Sequence, residues 1–130
     1  MSLEEIQIPE GWKKVTLGEC IFNILGGDWG DDDDESVHKD YVRVKILRAT
    51  EMSNWLEQKG KTGVTRIIKK SSLEKRQLVP NDLILEISGG STKFTVGRCV
   101  LIDDEVLQGD LPIICSNFFR KITLNKDVDP

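Results

Sequence analysis

The amino-acid sequence predicts a single α+β domain with a curled, mostly antiparallel or mixed β-sheet and a few short helices. Its 130 residues match the size of one domain, and they suffice to bury a core without a disulfide or metal staple. The apolar residues fall in short runs, some of which alternate with polar residues, and turn residues separate these runs. The helical signals are brief and no internal repeat is visible, so a fold dominated by its sheet is expected.

The first third of the chain is expected to contain one short helix and a long loop. Residues 11–17 form an extended entry segment, and Thr16 is placed to cap a short helix that continues to Phe22. Gly26-Gly27 ends that element. Residues 28–40 are polar and acidic and show no hydrophobic periodicity, so a surface loop is predicted for them.

The middle and the end of the chain carry strand signals. In Tyr41–Leu47 apolar residues alternate with cationic ones, which is typical of a half-buried strand. Residues 48–61 form a connection with one helical turn near Trp55, and a second strand follows over 64–68. A final strand, or a pair of strands, is expected over 113–124.

A short helix and a β-hairpin are predicted between these strands. Ser71 or Ser72 caps the helix, which runs through Gln77. The hairpin begins with the apolar run 83–87, and its second strand reaches Ile102. Its tip consists of Ser88, Gly89, Gly90, Ser91, Thr92 and Lys93. Small side chains and one cation at a loop tip suit close approach of a phosphate chain to the backbone N–H groups.

Charge is unevenly distributed, although the net charge is only −4. Residues 28–40 hold seven acidic residues against one lysine, whereas residues 59–76 hold seven basic residues against one glutamate. The chain as a whole is not a polycation, which argues against simple unspecific attraction to nucleic acid. The basic block can still form a binding face, because local charge governs a contact more than net charge does.

The cysteines and the hydropathy predict a cytoplasmic protein. Cys20, Cys99 and Cys115 are odd in number and widely spaced, so they are interpreted as reduced thiols. No stretch of the sequence is long and apolar enough to cross a membrane. The first five residues are too acidic for a secretion signal.

The sequence lacks the patterns that would predict catalysis, a metal site or a cofactor. His38 is the only histidine and lies in the acidic stretch, so neither a Ser-His-Asp nor a Cys-His site is expected. The three cysteines do not have the paired spacing of zinc ligands. Residues 31–34 lack the alternating ligands of an EF-hand, and residues 89–93 lack the Gly-Lys-Ser/Thr of a phosphate-binding P-loop.

Four segments of the chain have a familiar order and spacing. They are residues 11–19 with 24–27; the strand 42–45 with Arg48 and Thr50; Ser71-Ser72 with 78–85, 88–90 and 95–98; and Cys115-Ser-Asn-Phe-Phe119. Together they resemble a target recognition domain of the DNA specificity subunit of type I restriction-modification systems. The resemblance implies a tail over 1–10, a recognition domain over 11–124, and a tail over 125–130 that leads toward spacer helices.

The resemblance implies sequence-specific recognition of one half of a split site in double-stranded DNA. The domain itself is then not an enzyme, because a modification methyltransferase subunit and a restriction subunit with motor and nuclease activities supply the chemistry. In this interpretation Arg66, Lys69 and Lys70 contact phosphates, Arg48 pairs with guanine, and the loop 88–93 approaches a groove.

Plainer interpretations of the same residues stay open. The basic residues can lie on a solvated face, and the small polar loop can be an ordinary hairpin tip. A second hypothesis is a β-rich protein-interaction module of the same fold that does not bind DNA, which the acidic stretch and the negative net charge favour. Among the tryptophans, Trp12 is expected in core or edge packing, whereas Trp29 is expected to be exposed.

Overall fold

The computed structural model describes residues 6–33, 38–89 and 95–130. Over these residues the chain forms an α+β fold with two four-stranded sheets. The helices are α1 (Leu17–Cys20), α2 (Ala49–Met52), α3 (Trp55–Gln58) and α4 (Lys70–Arg76). The strands are β1 (Ile21–Gly26), β2 (Asp31–Asp32), β3 (Tyr41–Leu47), β4 (Val64–Lys69), β5 (Leu83–Glu86), β6 (Cys99–Leu101), β7 (Ile113–Cys115) and β8 (Phe119–Leu124). The predicted fold class is confirmed, but two sheets take the place of one curled sheet.

The first sheet is antiparallel throughout, in the order β1–β8–β5–β6. Its β5–β6 pair is the predicted hairpin, with Leu83 opposite Leu101. The second strand is shorter than expected, but the pairing continues beyond it. The backbone N–H of Glu86 donates to the carbonyl of Arg98, and that of Gly97 donates to the carbonyl of Glu86. The base of the hairpin is therefore fixed before its tip begins.

The second sheet is mixed, in the order β2–β4–β3–β7. The strand predicted over Tyr41–Leu47 is confirmed as β3, which pairs antiparallel with β4 and parallel with β7. The prediction of a loop over residues 28–40 is wrong for Asp31 and Asp32, which form the edge strand β2 against β4. Asp32 lies 2.8 Å from Arg66 of β4, and Asp33, which follows β2, lies 2.9 Å from Arg43 of β3, so arginines compensate part of the acidic charge at this edge.

The end of the chain forms a strand pair whose members belong to different sheets. β7 lies in the second sheet and β8 in the first, and a tight turn joins them. In that turn the N–H of Phe119 donates to the carbonyl of Ser116 at 3.0 Å. Because two consecutive strands leave this turn into two sheets, residues 116–118 lie where the sheets meet.

Two buried clusters stabilise the fold. The larger cluster joins the first sheet to α2, α3 and residues 102–106, and includes Phe119, Ile84 and Trp55. The smaller cluster lies between the second sheet and α4, with Ile46 and Ile68 fully or almost fully buried and Leu73 packed against them. Helix α4 is therefore anchored by its apolar side to the second sheet.

Several local predictions are confirmed and others are wrong. Thr16 does cap α1, in a capping box with Glu19, but the helix ends at Cys20 and β1 begins at once. The predicted serine cap of α4 is wrong, because Lys69 is the N-cap and Ser71 and Ser72 lie inside the helix. A side-chain cap is unnecessary there, since the Lys70 N–H already donates to the carbonyl of Asp40.

The tryptophans and cysteines divide between surface and core. Trp12 is 75% exposed, so its predicted packing role is wrong, whereas Trp29 is exposed as expected. All three cysteines are unpaired thiols, in agreement with the prediction. Among the described residues, no helix has both the length and the apolar character of a membrane span.

Candidate nucleic-acid interface

A cleft of about 390 Å³ opens where the two sheets meet. Its walls come from the crossing segment 26–30, the chain after β3, and the β7–β8 turn. The lining residues are Trp29, Arg48, Ala49, Thr50, Ser116, Asn117 and Phe118. A hollow of 360 Å³ elsewhere, between residues 77–80 and 107–113, has no aromatic or basic side chain in its lining. The cleft is therefore the better candidate for an interface with nucleic acid.

Gly27 allows the crossing segment to lie directly on the β7–β8 turn. Its N–H donates to the carbonyl of Phe119 at 3.1 Å, and the next N–H, of Asp28, donates to the carbonyl of Cys115 at 3.0 Å. A Cβ at Gly27 would overlap the carbonyl oxygens of Cys115 and Ser116. Only glycine therefore permits this approach, which sets the position of the neighbouring Trp29.

Arg66 fixes Trp29 in the cleft wall. Its guanidinium carbon lies 4.3 Å from the centre of the Trp29 ring, and its Nε donates to the Trp29 carbonyl at 2.6 Å. The remaining nitrogens donate to the Gly30 carbonyl and to Asp32, the latter at 2.8 Å. This predicted phosphate contact thus already has a structural role, because its donors are used within the chain.

Asp28 connects the cleft wall to α4. Its carboxylate accepts from the Ser72 hydroxyl at 2.6 Å and from the Gly30 N–H at 2.9 Å. Burial alone would raise the pKa of Asp28, but these hydrogen bonds and the charge of Arg76 lower it overall. Arg76 also donates to the Gly26 carbonyl. Helix α4 is therefore tied to the crossing segment both in its first turn, through Ser72, and at its end, through Arg76.

Arg48 lies at the rim of the cleft, but its guanidinium forms a bidentate ion pair with Glu51. Nε and Nη2 donate to the two carboxylate oxygens at 3.1 and 2.8 Å, and Nη2 also reaches the Thr62 carbonyl. Glu51 is 1% exposed and accepts further from the Arg48 N–H and the Thr62 hydroxyl. A bidentate pair with guanine would require Arg48 to leave this buried carboxylate.

The β7–β8 turn forms the opposite wall and contacts the start of the predicted hairpin tip. The Phe118 carbonyl accepts from the N–H groups of Ile87 at 2.9 Å and Ser88 at 3.4 Å. Gly89 has a φ of +86° and lies against the Phe118 ring. Ser88 and Gly89 therefore reach the cleft wall as candidate site residues, whereas Gly90, Ser91, Thr92 and Lys93 lie outside the described residues.

Lys69 and Lys70 are exposed at the junction of β4 and α4. Their side chains form no ion pair or hydrogen bond with any residue in the described ranges. Side chains alternate along β4, so Lys69 projects from the face opposite to Arg66 and Ile68. Lys70 instead opens α4, which covers the face of Ile68 and Arg66. Of the two lysines, Lys70 thus lies on the side of the sheet that carries Arg66, at the Tyr41 end of β3.

Sequence reasoning missed Asn117 and Phe118 as site residues in their own right. Phe118 is 47% exposed, and the Asn117 amide makes no hydrogen bond within the described part of the chain. The signal was a Ser-Asn-Phe-Phe run between two apolar strand segments. A polar residue and an aromatic residue at such a joint are presented to solvent by the turn, while Phe119 enters the core.

Acidic residues near the cleft pair with arginines. Asp33 lies 2.9 Å from Arg43, and Asp32 lies 2.8 Å from Arg66. The described residues contain no group of three or more histidine, cysteine or acidic side chains placed to hold a metal ion. His38 is exposed and has an edge contact with the Tyr41 ring. The acidic stretch therefore acts, where described, as a partner of basic side chains.

No protein-family model matches the chain, and a search of curated proteins returns no match either.

Proposed function

We propose that the protein is a sequence-specific double-stranded DNA recognition domain. The observation that carries this proposal is the cleft, in which exposed aromatic rings lie near an amide that has no hydrogen-bond partner among the described residues. Asp28 links the cleft wall to α4, which begins with the exposed Lys70. Exposed aromatic residues that share one cleft are typical of an interaction site. Amide and apolar groups read base edges, whereas lysines neutralise phosphates.

The spacing between the lysine at the start of α4 and Arg66, which holds Trp29 in the cleft wall, fits a DNA duplex. Lys70 lies four residues beyond Arg66, at the end of β4, which corresponds to about 13 Å of strand. The major groove is about 12 Å wide, so a cation at this separation can reach the phosphates flanking a groove that faces the cleft. Lys70 is the principal phosphate contact in this arrangement, with Lys69 secondary. Arg66 acts through Trp29, and Ser88 and Gly89 extend the interface beside Phe118.

The resemblance to type I specificity subunits supplies the biological context of the proposal. The domain would act in the cytoplasm as the non-catalytic specificity component of a restriction-modification complex. Its partners would be the modification methyltransferase subunit and the motor-nuclease restriction subunit. A recognition domain needs its contact residues on a rigid scaffold, and the β7–β8 turn at the joint between the two sheets supports the proposal in this respect.

The test is selection from a randomised duplex library, followed by affinity measurements on selected and scrambled duplexes at several salt concentrations. We expect an enriched motif and an affinity that falls with salt at a log–log slope of roughly −0.9 per phosphate contact. Lys70→Ala should weaken binding to all duplexes and make the slope shallower by about one contact, and Lys69→Ala should do less. Lys126→Ala, which removes an exposed lysine outside the cleft, is the matched control.

The proposal fails if neither the motif nor the salt dependence is found, or if Lys126→Ala weakens binding as much as Lys70→Ala does. Equal losses would show a diffuse electrostatic effect instead of an interface at α4. Both lysines are exposed, so their substitution should leave the unfolding temperature unchanged. Thermal unfolding of each variant checks this and separates lost binding from lost folding.

A second candidate function is a protein-interaction module, and a separate surface favours it. Large apolar residues of the N-terminal segment and of the edge strand β1 are exposed: Ile6, Ile8, Trp12, Val15, Leu17, Phe22 and Ile24. Exposed apolar patches of this kind mark protein interfaces. If sedimentation shows association that Phe22→Ser abolishes, and no duplex is enriched, this second function is favoured.

A further inference from the structure

The β7–β8 turn is held rigidly while its tip is exposed. The N–H of Ser116 donates to the carbonyl of Leu47 at 2.9 Å, and Ser116 itself is 3% exposed. On the other side Phe119 is fully buried. Asn117 and Phe118 therefore project from a fixed backbone, which is the arrangement that precise recognition requires.

The Asn117 amide and the Phe118 ring at the tip are available to contact a ligand. A side-chain amide offers two donors and one acceptor, and those of Asn117 are unused within the described residues. Next to it, the Phe118 ring and the Trp29 ring offer exposed apolar surface on the same cleft. The tip thus combines a bidentate hydrogen-bonding group with an apolar face.

The arginine of the cleft does not compete for this role. Arg48 would recognise guanine through the same fork that it uses to bind the buried Glu51. Removing Arg48 from that carboxylate would leave a buried charge with fewer partners, which is costly. The recognition chemistry that remains available in the cleft is therefore an amide and aromatic carbons.

We infer that Asn117 and Phe118 read an adenine–thymine base pair in the major groove, an inference that depends on the proposed function. The Asn117 amide oxygen accepts from adenine N6, and its nitrogen donates to adenine N7. Phe118, with Trp29 beside it, contacts the C5-methyl group of the paired thymine. Both features belong to one base pair and face the same groove, so adjacent side chains can reach them together.

The first test uses modified duplexes carrying the motif selected by the full chain. Replacing the relevant adenine by 7-deazaadenine removes the N7 acceptor, and replacing thymine by uracil removes the methyl group. We expect the 7-deazaadenine duplex to bind less tightly, by up to roughly 5- to 150-fold, the range for losing a bidentate base contact. Asn117→Ala should abolish this discrimination, and Phe118→Ala should abolish the response to uracil.

The second test changes the base that is preferred. Asn117→Asp leaves a group that accepts but does not donate, so it should favour cytosine, whose N4 amino group is a donor. A purely structural role of Asn117 in the turn would not produce such a switch. Gln108→Ala removes another exposed amide, outside the cleft, and should leave the motif unchanged.

The outcomes separate this inference from the proposed function. A motif that survives Asn117→Ala and Asn117→Asp unchanged overturns the inference while leaving the DNA reader intact. A chain that enriches no motif and shows no salt-dependent binding overturns both. Loss of A·T discrimination with retained, salt-sensitive affinity for all duplexes is the expected result.

Discussion

Arg48→Ala tests whether this arginine holds the fold or is available to read bases. The substitution removes the guanidinium from the Glu51 carboxylate, which is otherwise surrounded by protein. Burial alone would raise the pKa of Glu51, but the hydrogen bonds from Arg48 and Thr62 lower it overall. Without the Arg48 guanidinium, the buried Glu51 carboxylate keeps only part of the hydrogen bonding that stabilises its negative charge.

The expected loss follows from the contacts. Glu51 accepts four hydrogen bonds, and the substitution removes the two from the guanidinium. At ~1.5–3 kcal/mol per hydrogen bond to a charged group, the loss would reach about 3–6 kcal/mol. The Arg48 side chain is 32% exposed, so water replaces part of the contact. We therefore expect a decrease of about 2–4 kcal/mol in the free energy of unfolding.

Equilibrium urea unfolding at pH 7 measures this decrease, because a domain of this size has a free energy of unfolding of about 5–15 kcal/mol and tolerates the loss. The matched control is Asp32→Ala, which removes the ion pair between Arg66 and a 96% exposed carboxylate and should therefore cost much less than Arg48→Ala. If Arg48→Ala costs no more than the control, the buried pair does not stabilise the fold. Arg48 would then be available for guanine, and our reasoning about the cleft would be refuted.

Three further predictions concern the supports of the cleft. Gly27→Ala should lower the free energy of unfolding by about 1–3 kcal/mol or more in a urea titration, because the added Cβ overlaps two carbonyl oxygens; an unchanged midpoint would contradict this. The Cys115 thiol should react with a thiol reagent far more slowly than the other two thiols at pH 8, because burial raises its pKa to about 12; three equal rates would exclude it. The pKa values of Asp28, Glu51 and Asp103 are lowered in the folded state, so the free energy of unfolding should be highest above about pH 5 and should decline as the pH falls below about 4. Urea midpoints at pH 7, 5 and 3 measure this dependence, and a midpoint independent of pH would contradict the prediction.

The elements that were predicted correctly depend on short-range patterns. Alternation alone specified the strand Tyr41–Leu47, because Val44 and Ile46 on one face are fully buried, whereas Arg43 and Lys45 on the other face are more exposed. The cap at Thr16 follows from a hydroxyl three residues before a glutamate. The hairpin from Leu83 follows from apolar runs around a small polar loop. In each case the residues that determine the structure lie within a few positions of one another.

The errors arise where partners are far apart in the chain. No local pattern shows that Asp31 and Asp32 pair with β4, because Arg66, which forms the ion pair with Asp32, is contributed by another strand. The same is true of Arg48 and Arg66, whose basic character predicts a solvent or phosphate contact. Their actual partners are a buried glutamate and the backbone of the crossing segment. Charge read from sequence thus identifies basic residues without identifying those that remain available.

The arginines and the exposed lysines of this protein differ in whether their charged groups remain available to a ligand. Every arginine donates to a group of the chain itself: Arg43, Arg48, Arg66, Arg76, Arg98 and Arg120. Lysines such as Lys69 and Lys70 remain exposed and unpaired within the described residues. A planar guanidinium is suited to fixed, forked contacts, whereas an ammonium group acts as a mobile point charge. If the protein binds DNA, lysines therefore set its affinity and salt dependence, and the preferred sequence depends on the uncharged tip at Asn117 and Phe118.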